Sequence, residues 1–264
     1  VFPFLFFFAV GFFSFFLIFS LFPLFFPIFA VGVVFLGIGT AKLKQLSNEF
    51  KDKFLVEILS SHFENVTYIN SGISKAKVRE AEMLPRGDRF HSNDLISAEY
   101  NDVKFSMSDV TIEEMRSDGK NTHYVTVYKG PFMEFDFNKK IEGKMQLRER
   151  SRVSLFDKYD RIKLESVAFN KKFKVYSTNS HTVFYILTPS VMERLLKLEQ
   201  ENKGSFYLSF IEGKLFIALD NRKDNFEVGL TQAIDEKLLT EFENDLSIIK
   251  EIIDELRLNS KLFN

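Results

Sequence analysis

The sequence predicts an α+β protein with an N-terminal transmembrane helical hairpin, residues 1–40, and a soluble cytoplasmic domain, residues 41–264. Three observations predict this fold. The first 41 residues contain no charged side chain. Near both ends of the larger domain, apolar residues recur at spacings of three and four, which indicates flanking helices and a long C-terminal helix. Between those ends, apolar and polar residues alternate in short runs bounded by turn residues, which is typical of mainly antiparallel strands.

The apolar run is long enough for two membrane spans. It holds 15 of the chain's 33 Phe, and one transmembrane helix needs about 20 apolar residues. Pro23 and Pro27 interrupt the run, and each proline removes a backbone donor and clashes with the preceding helical turn. We therefore predict spans near residues 1–20 and 24–39, joined by a tight turn. A single long span is the alternative. A signal peptide fits less well because the run is too long and has no basic segment before it.

Basic residues after the second span predict its orientation. Lys42, Lys44, Lys51 and Lys53 follow the apolar run closely. Lysines near a membrane end favour the cytoplasmic side. We therefore expect a two-pass protein with the larger domain in the cytoplasm. The absence of cysteine agrees with a reducing compartment without establishing it.

The larger domain begins with a helical pattern. Thr40 is a suitable N-cap, and an apolar stripe follows it at Leu43, Leu46, Phe50, Phe54 and Ile58. A second, short helix is predicted from residue 74 to residue 84, before Pro85. The first of these helices is expected to continue from the second span as a stalk.

Strands are then predicted in two groups. The first group comprises residues 95–100, 103–107, 122–128 and 133–137, with an Asn101-Asp102 turn and a bulge near Ser108-Asp109. The second group comprises residues 161–165, 173–177, 183–187, 205–211 and 214–219, with the last two joined by a two-residue turn at Glu212-Gly213. Thr188-Pro189 predicts a helix start within the second group, because a hydroxyl cap precedes a proline in the first turn.

The last predicted helix, residues 235–258, carries a heptad-like seam. Successive apolar residues along it are spaced three, four, three, four and three apart, at Leu239, Phe242, Leu246, Ile249, Ile253 and Leu256. Neighbouring apolar residues widen this stripe, which is typical of a helix docked on its own sheet. Pairing with a second copy or with a partner's coiled coil is the alternative.

Charge is distributed unevenly along the chain. Residues 139–174, the basic segment, hold twelve basic and five acidic residues, a net charge of +7, whereas residues 199–264 have a net charge of −6. Two solvated faces of one fold would account for this. The functional interpretation is a surface that contacts anionic lipid, with candidate residues Lys42, Lys44, Arg148, Arg150 and Arg152. Nucleic acid is not expected, because the chain is near neutral and has no nucleic-acid module.

The chain contains no catalytic, cofactor or metal motif that we recognise. G-x-G-x-x-G, G-x-S-x-G and H-E-x-x-H are all missing from the sequence. The four histidines are scattered, and only His91 has carboxylates nearby, at Asp88 and Asp94. We predict no catalytic, cofactor-binding or metal-binding residue and no cofactor. An acid/base pair drawn from residues 85–94 is the enzymatic alternative.

Several segments together resemble a widespread bacterial family of membrane proteins that is known as a domain of unknown function. These segments are residues 94–100 (DLISAEY), 125–138 (VTVYKGPFMEFDFN), 173–177 (FKVYS), 185–196 (YILTPSVMERLL) and 209–218 (SFIEGKLFIA). The resemblance implies paired N-terminal spans in the bacterial inner membrane and a cytoplasmic α+β domain. It implies no catalytic residue. It suggests a coiled-coil membrane protein of the LemA type as a partner.

The sequence therefore leads to a membrane-tethered, non-enzymatic binding or scaffold module of unknown ligand. A membrane-associated enzyme is the first alternative. An accessory subunit of a transporter is the weaker one, because neither predicted span contains an ionisable residue.

Overall fold

The structure is a computed structural model. It describes residues 38, 42, 53, 55–136, 142–149, 159–201, 204–223, 246, 247, 249–254, 256 and 258. The chain divides into two compact units, Val1–Lys51 and Asp52–Asn264. Ile38 and Lys42 are helical and exposed, and the rest of the predicted hairpin lies outside the described residues. In the ranges just given, no helix is both long and apolar enough to cross a membrane.

The described part of the second unit contains a nine-stranded sheet with the order β1-β2-β3-β4-β9-β8-β5-β7-β6. All neighbouring strands run antiparallel. The strands are β1 (Glu64–Ser71), β2 (Arg89–Tyr100), β3 (Val103–Ser117), β4 (Thr122–Asp136), β5 (Met145–Glu149), β6 (Asp160–Ile162), β7 (Phe173–Ser177), β8 (Ser205–Ile211) and β9 (Lys214–Asp220).

Helices complete the α+β fold and confirm its predicted class. They are α1 (residues 55–62), α2 (Lys75–Glu80), α3 (Val167–Lys172), α4 (Ser180–Ile186), α5 (Pro189–Glu201) and α6 (residues 249–254, with 246 and 247 also helical). Residues 256 and 258 form turns, so the last helix ends before the predicted residue 258. Its predicted start, residues 235–245, lies outside the described ranges.

Local signals predicted the tight turns and one helix start correctly. Asn101 and Asp102 have φ values of 51° and 63°, and Glu212 and Gly213 have 52° and 76°, as a type I′ hairpin requires. Helix α5 begins at Pro189, and the Thr188 hydroxyl accepts a hydrogen bond from the Val191 amide at 3.4 Å.

Two predicted strands are wrong in whole or in part. Residues 183–186 belong to α4, whose N-terminus is capped by the Asn179 side chain. A short apolar run does not distinguish a buried strand from a buried helix. The strand predicted at 161–165 ends at Ile162, because Asn170 binds the next backbone groups. Its side-chain oxygen accepts from the Leu164 amide at 3.1 Å, which removes that donor from the sheet.

The predicted bulge is present, but in the partner strand. Strand β3 runs without interruption through Ser108 and Asp109. The register shift lies in β2, between Asn93 and Ile96. Asp94, within this shift, has a φ of 57°. The extra residue in β2 therefore accounts for the interrupted pairing that the sequence suggested for β3.

The middle of the sheet is buried on both faces. Alternate residues of β9 join two separate apolar clusters, with Leu215 and Ile217 in one and Phe216 and Ala218 in the other. On the first face, the cluster takes residues from α1, α3, α4, α5 and α6, including Leu59, Phe169, Val183, Leu195 and Ile253. On the second face, the cluster takes residues from α2 and the segment after it, namely Val78, Ala81, Met83 and Leu84. The second face therefore has the thinner helical cover.

Candidate functional site

A cleft of about 970 Å³ opens on the second face beside α2. Helix α2 and residues 82–87 form one wall. Phe90 of β2 and Ile112 of β3 lie on the sheet side, and Lys144, Tyr159 and Thr178 complete the lining. Pockets of roughly 300–1,000 Å³ are typical small-molecule sites. The size of the cleft is therefore suited to a small ligand.

The sequence around α2 explains how this wall is held. The Ser74 hydroxyl accepts from the Lys77 amide at 3.3 Å and so caps the helix. Lys77 also pairs with the buried Glu134 of β4 at 3.1 Å. Beyond the helix, a Cβ at Gly87 would lie 2.5 Å from a methyl carbon of Ile112. Glycine at this position therefore lets the chain approach β3 closely.

Four side chains from β5 and its surroundings converge on Glu82. Its carbonyl oxygen accepts from Nε2 of Gln146 at 2.9 Å and from Nη2 of Arg148 at 3.2 Å. Its carboxylate accepts from Nζ of Lys144 at 2.9 Å and from the Tyr159 hydroxyl. Glu82 has a φ of 49°, a conformation that non-glycine residues rarely adopt. The four bonds hold this unfavourable backbone in place.

Two donors at Glu82, the Tyr159 hydroxyl and the Arg148 guanidinium, keep their protons at neutral pH. Burial, together with the hydrogen bond to the Glu82 carboxylate, raises the pKa of Tyr159. Burial lowers the pKa of Arg148, but arginine starts so high that it stays charged. The Glu82 carboxylate is therefore already engaged by its own protein, through the Lys144 ammonium and the neutral Tyr159 hydroxyl.

The cleft carries excess positive charge. Lys75, Arg79, Arg86 and Lys144 line it together with Glu82, which gives a net charge of +3 for the lining residues. Lys75 donates to the Gly87 carbonyl at 3.3 Å, and Lys144 pairs with Glu82. The exposed side chains of Arg79 and Arg86 make no hydrogen bond or ion pair with any residue that the structure describes. These two guanidinium groups are thus available to an anion.

A second, smaller cleft, of about 500 Å³, lies beside α3 and α5. Glu149 of β5 and Glu199 of α5 face each other there. Lys172 of α3 pairs with Glu199 and lies 4.0 Å from Oε1 of Glu149. Burial, and then the hydrogen bond and charge of Glu199, raise the pKa of Glu149 to about 7, against an opposing effect of Lys172. We call these three residues the carboxyl pair site.

The residues predicted for lipid contact are not brought together among the described residues. Lys42 is exposed, while Lys44, Arg150 and Arg152 lie outside the described ranges. Arg148 is only 4% exposed and is bound to Glu82 and Gln146. Its position on the sheet face that α2 covers explains this burial. We therefore omit Arg148 from any lipid surface.

The alternative acid/base group at residues 85–94 is spread along a strand. Asp88 accepts from the Met115 amide at 2.7 Å. Asp94 is buried and accepts from the Tyr68 hydroxyl and from Nδ2 of Asn93. Six residues of strand correspond to roughly 20 Å, so the two carboxylates serve separate parts of the fold. Within the described ranges, no three His, Asp or Glu side chains are grouped to hold a metal ion.

The C-terminal seam is mostly buried where the structure describes it. Leu246, Ile249 and Ile253 belong to the first-face cluster, and Leu256 packs against it. Leu239 and Phe242 lie outside the described residues. These positions favour a helix docked on its own sheet over an exposed pairing surface.

One family match covers half of the chain. Residues 126–258 match the family described as "Protein of unknown function (DUF3137)". The chain belongs to the DUF3137 family. No curated protein and no solved structure matches the chain. The predicted resemblance to a family of unknown function is thereby confirmed.

The DUF3137 segment contributes one side of the basic cleft. This segment contains the four residues that bind Glu82, namely Lys144, Gln146, Arg148 and Tyr159. It also contains the carboxyl pair site, formed by Glu149, Lys172 and Glu199. Helix α2 and residues 81–87 precede it. The cleft is therefore built where the DUF3137 segment meets the chain before it.

Sequence reasoning missed most of the cleft. It predicted a short helix ending before Pro85 and gave no role to Arg79, Glu82 or Arg86. The one signal that pointed here was the basic segment, which contains Lys144. The contacts to Glu82 span 62 to 77 residues of sequence, and such distant pairings leave no local pattern.

Proposed function

We propose that this DUF3137 chain is a membrane-tethered, non-enzymatic binding module whose basic cleft holds an anionic ligand. The observation that carries the proposal is the pair Arg79 and Arg86, two exposed guanidinium groups lining one cleft of net charge +3. A concave site lined by one sign of charge concentrates ions of the opposite sign.

The cleft is better suited to binding than to catalysis. Glu82 is the carboxylate among the described lining residues, and Lys144 and Tyr159 already bind it. A general base must be free to reach the proton of its substrate. Glu82 instead fixes Lys144 and Tyr159 in the wall, which prepares the site for a ligand with little rearrangement.

The tether is the uncharged run at residues 1–41. As a hairpin of two spans it would confine the rest of the chain to the surface of the bacterial inner membrane, on the cytoplasmic side. Confinement raises the effective concentration of any ligand at that surface. A cleft of low affinity would therefore suffice to bind a ligand that lies in the same membrane.

Calorimetric titration of the full chain in neutral detergent with pyrophosphate tests the anion site. We expect saturable binding that weakens as salt rises, since screening shortens the Debye length from about 10 Å at 0.1 M to about 3 Å at 1 M. The double variant Arg79→Gln/Arg86→Gln should bind at least about tenfold more weakly, since one hydrogen bond to a charged group contributes about 1.5–3 kcal/mol.

The matched control is Arg116→Gln. Arg116 is an exposed arginine at the C-terminal end of β3 that pairs with Glu114 and does not line the cleft, so this substitution removes one positive charge outside the cleft. Equal affinity in the control and in the double variant would contradict the proposed site.

The second candidate function is enzymatic, and the carboxyl pair site favours it. A carboxyl group with a pKa of about 7 is partly protonated at neutral pH and can act as a general acid. The same contacts also join α3, α5 and β5 through Lys172. We therefore give the carboxyl pair site a structural role first.

A further inference from the structure

We infer that the ligand of the basic cleft is the phosphate headgroup of an anionic lipid, with Arg79 and Arg86 as the phosphate contacts and the apolar floor as the contact for the adjoining carbon atoms. This inference rests on the proposed function and names the ligand class of that same site.

The cations select phosphate. Arg79 and Arg86 present planar guanidinium forks, which match the oxygens of a phosphate group with paired hydrogen bonds. Two such groups in one cleft balance the double charge of a phosphate monoester. Lys144, already paired with Glu82 at 2.9 Å, adds a third cation to the lining without needing to move.

The floor selects a lipid over a free phosphate. The lining includes Val78, Met83, Leu84, Phe90 and Ile112 beside the cations. All five belong to or pack against the second-face cluster, so the floor is continuous with the core. Val78, Met83, Leu84 and Ile112 are at most 8% exposed, so the apolar surface that a ligand can cover belongs to the half-buried Pro85 and Phe90. A ligand that carries only phosphate would leave these two side chains in water, whereas each methylene buried on them is worth roughly fourfold in affinity.

The cleft also has the dimensions of a small-molecule site. Its volume of about 970 Å³ lies at the upper end of the range of roughly 300–1,000 Å³ for small-molecule pockets. A phosphoglyceride headgroup with its first acyl carbons fits this range. An extended acidic peptide needs a longer groove, so a lipid headgroup is the better match.

Calorimetry with four probes tests the ligand class. The full chain in neutral detergent is titrated with dihexanoyl phosphatidic acid, dihexanoyl phosphatidylcholine, glycerol 3-phosphate and inorganic phosphate, and blank titrations into empty micelles are subtracted. We expect dihexanoyl phosphatidic acid to bind at least tenfold more tightly than glycerol 3-phosphate. We expect no saturable heat with the zwitterionic phosphatidylcholine.

The variants locate the binding. Arg79→Gln, Arg86→Gln and their combination should weaken the binding of dihexanoyl phosphatidic acid, by at least tenfold in the double variant, while Arg116→Gln should leave it unchanged. Both cleft arginines are exposed, so the variants should keep the wild-type melting temperature, which is measured alongside.

The alternative outcomes are distinct. Glycerol 3-phosphate binding as tightly as the lipid would overturn the lipid inference and leave the proposed anion site standing. Phosphatidylcholine binding as tightly as phosphatidic acid would overturn the role of the arginines. A lack of saturable heat with every phosphate probe, pyrophosphate included, would remove both the inference and the proposed function.

Discussion

Glu82 joins backbone strain to a four-part hydrogen-bond group. Its φ of 49° is unfavourable, and the bonds from Lys144, Gln146, Arg148 and Tyr159 offset that cost. Removing the carboxylate leaves the Lys144 ammonium and the Tyr159 hydroxyl without their acceptor. Lys144 and Glu82 are each about a third exposed, and Tyr159 is half-buried, so water replaces part of the lost hydrogen bonding. We expect Glu82→Ala to lower the free energy of unfolding by about 1 kcal/mol.

Denaturant unfolding of the full chain in detergent measures this change. Glu165→Ala, at an exposed glutamate, is the control and should stay within about 0.5 kcal/mol of wild type. A Glu82→Ala variant as stable as this control would show that the group around Glu82 contributes nothing net.

Glu149 should make stability depend on pH. Its pKa rises from 4.5 to about 7 in the folded chain, so the folded state holds this proton more tightly than the unfolded state does. The contribution to stability is therefore greatest below about pH 4.5, falls as pH rises towards 7, and stays low above that. We expect Glu149→Gln to raise the melting temperature at pH 8 by about 2–4 °C, which corresponds to about 1 kcal/mol for a chain of this size.

At pH 4.5 the two proteins should melt together, because wild-type Glu149 is then protonated. Thermal unfolding at both pH values, with Glu165→Gln as the control, measures this difference. The same melting-temperature difference at both pH values would show that the ionisation of Glu149 is not its cause.

At the scale of elements, the sequence predicted correctly those features that depend on residues adjacent in the chain. The turns at Asn101-Asp102 and Glu212-Gly213 depend on adjacent residues, so the sequence predicted them correctly. Helix α4 was predicted as a strand because its apolar residues occupy a single short run. The sequence did not predict the contacts of Glu82, because its partners lie more than 60 positions away and no local pattern joins residues so far apart.

Helix α6 provides a test of the two interpretations of the C-terminal seam. Ile249 and Ile253 are both 0% exposed, and each buried Ile→Ala change costs roughly 2–5 kcal/mol. We expect Ile249→Ala/Ile253→Ala to unfold much of the chain or to lower its melting temperature sharply. Glu251→Ala, at an exposed position of the same helix, is the matched control. Wild-type melting together with a fall in mass by light scattering would favour an intermolecular seam instead.

At the scale of the whole molecule, the central strands of the sheet are covered on both faces. This explains why apolar and polar residues alternate along only some of the strands in the sequence. Strands β8 and β9 are apolar along almost their whole length, as doubly buried strands are. In β4, Glu134 looks like an outward polar residue in the sequence, yet it is buried and pairs with Lys77 and Lys214. The α+β class was therefore predictable, while the division of residues between two faces was not.

The predicted topology of the chain has a direct test in a bacterial host. The chain contains no cysteine, so one introduced thiol reports one position. If residues 1–40 form a hairpin with the lysines after it on the cytoplasmic side, Asn264→Cys should resist an impermeant thiol reagent in intact cells and react after lysis. Phe22→Cys, in the predicted turn between the spans, is the matched control and should react in intact cells, because the turn would face the periplasm. The physical reason is the cost of moving Lys42, Lys44, Lys51 and Lys53 across the bilayer, which keeps such residues on the cytoplasmic side. Ready labelling of Asn264→Cys in intact cells would reverse the orientation, and lack of labelling at Phe22→Cys would favour a single span or none.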